Sequence, residues 1–255
     1  MLFDTHAHLD DKKYNQDRQE MLARAREAGA ELIVNVGYDL PSSQRSVQLA
    51  RENDFIYAAV GFHPHDAKEA NQEALDELRK LAGEAKVVAL GEMGLDYFRD
   101  LSPRDVQKRV FREQISLAKE LKLPIIIHDR DAHGDVMNIL KEEGAWEVGG
   151  ILHCFSGSWE MAKECINLGF YISFAGPVTF HNAARLQEVA AKVPTEWMLI
   201  ETDAPYLTPE PHRGKRNESG YVAHVAAKIA EIKGLSYEEV AAITMENGKK
   251  VFGLS

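Results

Sequence analysis

Residues 103–154 read PRDVQKRVFREQISLAKELKLPIIIHDRDAHGDVMNILKEEGAWEVGGILHC, and this stretch decides the fold. Pro103–Leu121 is a long amphipathic helical pattern. Pro124–His128 is a short isoleucine run that stops on a histidine. Gly134–Glu143 is helical again, and Gly150–His153 is a second short apolar run stopping on a histidine. Helix-period segments alternating with short β-branched runs are the βα units of a parallel sheet. Pro103 follows Ser102, a residue type suited to N-capping, and fits a first helical turn.

The alternation continues in both directions. Further short apolar runs fall at Leu2–His6, Glu31–Val36, Ile56–Gly61, Val87–Glu92, Phe170–Phe174 and Trp197–Thr202. Helical patterns fall at Asn15–Ala28, ended by Gly29, and at Pro41–Asn53, Gln72–Leu81, Trp159–Leu168 and Ala183–Val193. Ser236 with Glu239 forms a capping box for a late helix. Eight strands in a chain of 255 residues predict an α/β protein, a closed (β/α)8 TIM barrel. An open doubly wound sheet competes, but its Gly-x-Gly-x-x-Gly marker after the first strand is missing. No Pro/Gly/Ser-rich linker divides the chain, so residues 1–255 are expected to form one domain.

Lys and Arg number 30 against 40 Asp and Glu, a formal charge of −10. A general nucleic-acid coating protein is normally basic, so that class is excluded. An enzyme that meets phosphates locally through metal ions is not. No apolar run approaches the roughly 18 residues a membrane span needs, and MLFDTHAHLD lacks the basic start and apolar stretch of a signal peptide. Cys154 and Cys165 make no disulfide framework, so a reducing, cytoplasmic location is expected. Both are expected to be inert thiols packed away from any site.

The chemistry collects at the strand ends. His6 and His8 lie two apart, and strand side chains two apart share a face. The third strand runs into Gly61-Phe62-His63-Pro64-His65, and the fourth ends on Glu92. The fifth and sixth end on His128 and His153, and the eighth runs into Glu201-Thr202-Asp203. In a barrel these C-terminal ends converge on one mouth, where active sites are built. His6, His8, Glu92, His128, His153 and Asp203 are too many ligands for one tetrahedral site. A bridging carboxylate between two cations uses them all. Glu92 is the expected bridge, with His6, His8 and Asp203 on one ion and His128 and His153 on the other. The mixed donors suit Zn, Mn, Ni or Fe and tolerate Mg. Glu201 is expected to face away from the mouth, with a structural role.

The motifs FDTHAHLD, GFHPH, GEMGLDY, IIIHDRDA, ILHCFSGS, ETDAPYLTP and HRGKRNE resemble, in order from residue 3 to about residue 218, the TatD family of metal-dependent deoxyribonucleases. That resemblance implies a TIM barrel, a divalent-metal centre with the six ligands above, and hydrolysis of DNA phosphodiesters. One departure is Ser219, where members commonly carry proline after Asn-Glu.

From these residues a mechanism is expected in which two cations neutralise the phosphate and activate a water, while Asp203 orients that water and takes its proton. Glu92 is catalytic through its bridging position. His63, His65, Arg213 and Arg216 are expected substrate contacts; the two arginines belong to a local cationic loop, 212–217, after the eighth strand. Ser156-Gly157-Ser158 opens a helix and reads equally as an anion cradle or a plain cap. Tyr97 and Phe98 are either base-stacking or packing residues. The expected partner is DNA, as single-stranded ends, with no obligatory protein partner. Two other readings compete: a small-molecule or aminoacyl-ester (D-aminoacyl-tRNA) hydrolase on the same centre, and a non-catalytic protein retaining the fold. A glutamate rather than a lysine at the bridging strand end favours phosphoester chemistry.

Overall fold

The structure, a computed structural model, describes residues 1–255. Its strands are β1 Leu2–Ala7, β2 Ala30–Val36, β3 Ile56–Val60, β4 Val87–Asp96, β5 Ile125–Arg130, β6 Gly150–Leu152, β7 Phe170–Phe174 and β8 Met198–Ile200. Each pairs in parallel with the next. The ring closes where Ala7 bridges Ala204. There the His8 amide donates to the Ala204 carbonyl at 2.7 Å and the Asp203 amide to the His6 carbonyl at 2.9 Å. The chain is an α/β protein with a TIM barrel, as expected.

The outer helices are α1 Arg18–Glu27, α2 Leu40–Glu52, α3 Gln72–Ala82, α4 Arg104–Leu121, α5 His133–Glu142, α6 Trp159–Asn167, α7 Ala184–Lys192, α8 Val222–Lys233 and α9 Tyr237–Phe252. The Ser236–Glu239 capping box opens α9. Helix α8 carries no strong amphipathic signal, because its sequence VAHVAAKIAEIK is apolar around most of its circumference. Ser102 does not cap α4. Pro103 holds that position, and the Ser102 hydroxyl donates instead to the His65 carbonyl at 2.8 Å. No helix is long and apolar enough to cross a membrane.

Two apolar layers hold the barrel. Phe3, Val34, Ala59, Ala89, Ile126, Ile151, Tyr171 and Leu199, one from each strand, form a single buried cluster in the lumen. Met245 and Phe252 of α9 belong to it and plug its N-terminal end, with Phe252 5.7 Å from Phe3 ring to ring. A larger cluster packs strands against helices. The lower lumen is therefore apolar, and polar groups are left to the C-terminal mouth.

The lumen residues set the parity of each strand. On β5, Ile126 predicts that His128 faces inward; on β6, Ile151 predicts the same of His153. Beyond β8, Leu199 predicts it of Glu201 and Asp203. On β1, Phe3 predicts the reverse for His6 and His8. There, however, three steps on β1 (Asp4 to Ala7) pair with two on β2 (Ile33 to Asn35). On β4, three steps from Leu90 to Met93 pair with two on β5, from Ile125 to Ile127. Each extra residue is a β-bulge, which re-aims the side chains beyond it. These two bulges turn His6, His8 and Glu92 into the mouth.

Candidate metal centre

The six expected ligands converge, and they do so in two sets that share one carboxylate. Around Glu92 Oε2 lie His6 Nε2 at 3.4 Å and His8 Nε2 at 3.6 Å. Asp203 Oδ1 lies 3.7 Å from His6 Nε2 and 3.4 Å from His8 Nε2, and the two imidazole nitrogens are 3.2 Å apart. A tetrahedral cation with bonds of about 2.1 Å has ligand–ligand edges of about 3.4 Å. This set has those edges. Around Glu92 Oε1 lie His128 Nδ1 at 2.7 Å and His153 Nε2 at 2.8 Å, themselves 3.4 Å apart, with His63 Nε2 at 3.5 Å. The two short contacts are hydrogen bonds that a bound cation would replace. His63 thus joins this second set rather than standing apart as an outer substrate contact.

The outward nitrogens fix the tautomers. His8 donates from Nδ1 to the Val36 carbonyl at 2.8 Å. His153 donates from Nδ1 to Glu201 Oε1 at 3.2 Å, and His128 from Nε2 to Asp96 Oδ2 at 3.2 Å. Each ring therefore turns its other nitrogen inward, where loss of the proton it shares with the site carboxylates leaves it a ligand, the arrangement that carboxylates and carbonyls impose on metal-binding histidines. His6 Nδ1 is buried without a partner. Four imidazoles and two carboxylates sealed at such distances fit a divalent cation on donor chemistry alone.

The charges agree. Burial pulls the His8 imidazole down, but Asp203 and Glu92 outweigh it and push it up to about 9. Burial likewise opposes the His153 imidazolium, yet Glu92 and Glu201 hold it well above the ordinary value. Burial by itself raises the Glu92 carboxyl, while His153, His63 and His128 around it carry it well below the usual range. His63 is lowered by burial and by its neighbour His128. A divalent cation bound among these groups would take the place of their protons.

Three further expectations change. Glu201 does not face away: it is fully buried, and its Oε1 accepts from His153 Nδ1 and from the Cys154 amide at 2.7 Å. The signal was its spacing of two from Asp203, which puts both on one face. Cys154 is not packed away behind the strand but half-buried above it, at φ 43°; burial and the carboxylates of Asp203, Glu201 and Glu92 keep its thiol protonated. Cys165 is buried in the core, as expected. Arg216 is not free for a phosphate. Four of its N–H bonds go to the Lys13 carbonyl, both Asp17 oxygens and Glu218, and it lies 4.7 Å from the Tyr14 ring.

The remaining candidates divide. Arg213 is exposed, stacked 4.0 Å over Phe180. His65 is half-buried with Nε2 2.8 Å from Asp96 Oδ2. Ser158 accepts from the Met161 amide and is a plain N-cap of α6. Tyr97 is half-buried, donating to Asp135 Oδ2 at 2.6 Å under Arg104, whereas Phe98 is 59% exposed. Ser219, the departure from the family pattern, bonds the buried Asp4 carboxylate. Asp96 carried no mark as a site residue, yet it braces both His65 and His128.

Comparison with known proteins places these residues in context. The family model described as TatD related DNase matches residues 3–253. A Bacillus subtilis protein named uncharacterized metal-dependent hydrolase YabD is 55% identical over the whole of both chains. The Citrobacter koseri protein named 3'-5' ssDNA/RNA exonuclease TatD is 36% identical, again over the whole of both. Among solved structures, YJJV, a TatD homolog from Escherichia coli K12, superposes with a TM-score of 0.94 at 32% identity, covering 100% of this chain and 98% of its own.

Proposed function

The chain belongs to the TatD-related DNase family of metal-dependent hydrolases, and from that premise we propose that it cleaves phosphodiester bonds at the ends of single-stranded DNA. In this reading all 255 residues act as one catalytic unit. His6, His8, Glu92 and Asp203 hold one divalent cation, and Glu92, His128 and His153 hold a second, with His63 beside them. The observation carrying the proposal is that the two oxygens of one buried carboxylate face two separate histidine sets. Relatives named as single-strand exonucleases support the choice of substrate.

Bound cations supply charge neutralisation for the phosphate oxygens and a lowered pKa for water. The chain supplies the rest. Asp203, the more exposed of the two site carboxylates, orients the attacking water and accepts its proton. Glu92 fixes the separation of the two histidine sets. Arg213, with no ion pair shorter than 4.0 Å, is the exposed cation of the loop after β8 and contacts phosphate. His65 reaches substrate from the other side of the mouth.

The test is incubation of metal-loaded enzyme with single-stranded DNA, a D-aminoacyl-tRNA and a lactone panel, alongside Glu92→Gln. Nucleotide release from DNA, lost in the variant, is the expected result. Ester turnover with intact DNA would transfer the assignment to an ester hydrolase.

A further inference from the structure

The large apolar side chains left exposed are Met1, Phe98, Leu101, Trp146, Tyr206 and Leu207. Four of these lie on two loops, those that follow β4 and β8. In an eight-stranded ring with sequential neighbours, β4 and β8 stand at opposite ends of a diameter. The ligand cluster lies between, with Glu92 from one side and Asp203 from the other.

Each loop presents an aromatic ring with a cation over it. Arg130 lies 4.0 Å from the centroid of Phe98, and Lys13 Nζ 4.4 Å from that of Tyr206. Phe98 is 59% exposed and Tyr206 45%. Both loops are anchored to the site. The Phe98 amide donates to Asp96 Oδ1 at 3.0 Å, and the other oxygen of Asp96 braces His128. The Tyr206 amide donates to the Asp203 carbonyl at 2.9 Å, its hydroxyl donates to Asp11 Oδ2 at 3.0 Å, and its ring meets His8 edge-on at 6.2 Å.

The cation covers one face of each ring; a base stacked on the exposed remainder lies close to that cation, which meets its phosphate, and this pairing matches what a nucleotide offers. A duplex buries its base faces in its own stack; only an unpaired strand can lay bases on both rings. We propose that Phe98 with Arg130, and Tyr206 with Lys13, are two base-stacking platforms on opposite sides of the mouth that hold an unpaired nucleic-acid strand across the ligand cluster. This deepens, and rests on, the nuclease reading: it names the residues that select single strands. It also explains how a chain of net charge −10 retains a polyanion, since stacking supplies affinity that overall charge does not.

The experiment separates stacking from cleavage. A phosphorothioate-linked single strand carrying 2-aminopurine loses fluorescence when that base stacks on a ring, so binding is read without hydrolysis. Phe98→Ala and Tyr206→Ala are each expected to raise Kd about tenfold and to abolish part of the quench. Phe98→Trp and Tyr206→Phe retain both. In turnover, the ratio of kcat/KM on single-stranded DNA to that on methyl p-nitrophenyl phosphate, which has no base, falls by a similar factor in the alanine variants. Alanine variants that bind, quench and discriminate like the parent overturn the platforms while leaving the nuclease intact. Quenching by the parent without cleavage overturns the nuclease reading and keeps the platforms. No binding by the parent overturns both.

Discussion

Glu201→Gln is the substitution that most directly tests how the second ligand set is held. Glu201 is fully buried and bonds His153 from behind, through Nδ1, so that Nε2 points at Glu92. A hydrogen bond to a charged acceptor contributes about 1.5–3 kcal/mol, and a neutral acceptor about half of that. Glutamine keeps the shape and an acceptor for the Cys154 amide, so the loss is about 1 kcal/mol in orienting His153, plus its lost influence on the basicity of Nε2. Substitutions at such supporting positions weaken metal affinity by about 10–100-fold. On the two-cation reading the expected result is an affinity about tenfold weaker for the set holding His153 and a smaller loss for the set holding His8 and Asp203, which do not bond Glu201 and feel it only through His6, stacked 4.0 Å from His153. Glu201→Ala also strands the buried Cys154 N–H, which costs about 1–3 kcal/mol of stability. Metal titration of chelator-stripped protein by calorimetry, alongside a thermal melt, reads both effects. Two undiminished affinities in Glu201→Gln, or a loss confined to the set containing His8, would refute the assignment.

Four more outcomes follow from the same geometry. In metal-free protein the folded His8 value of about 9 lies above the unfolded imidazole's, so its stabilising effect is complete below about pH 6.5 and lost as pH rises through about 9. The thermal shift given by an added divalent cation, which competes with that proton, therefore grows across this window; a pH-independent shift contradicts it. Arg216→Ala removes the contacts to Asp17, Glu218 and the Lys13 carbonyl and is expected to lower stability by roughly 1–3 kcal/mol while keeping the salt dependence of DNA binding. Arg213→Ala leaves the melting temperature alone and lowers the salt slope by about 1. Gly94→Ala puts a Cβ 2.0 Å from the His128 carbonyl oxygen at φ +142° and is expected to cost roughly 3 kcal/mol or more, seen as loss of soluble protein or a much lower urea midpoint.

Much of the site was legible because the fold makes strand ends equivalent to site positions. Eight apolar runs place the six residues His6, His8, Glu92, His128, His153 and Asp203 at the mouth, and they do gather there. What escaped were groups whose role depends on a partner. Asp96 and Glu201 act through the far nitrogens of His128 and His153. Arg216 resembles a free phosphate ligand until Asp17, from 199 residues earlier, takes its fork.

The sequence by itself determined that there would be eight strands, which residues lie near their C-terminal ends, and that a cluster of imidazoles and carboxylates would face one opening. Periodicity and strand-end chemistry are local, and they survive without coordinates. Which way three of those side chains point was decided only by tertiary structure. Parity counted from Phe3 and Ala89 sends His6, His8 and Glu92 outward; the extra residue in β1 and in β4 reverses it. A bulge is a relation between two paired strands, because it exists only where one chain advances three steps against its neighbour's two. It depends on the register of β1 on β2 and of β4 on β5, so neither strand's own residues can specify it.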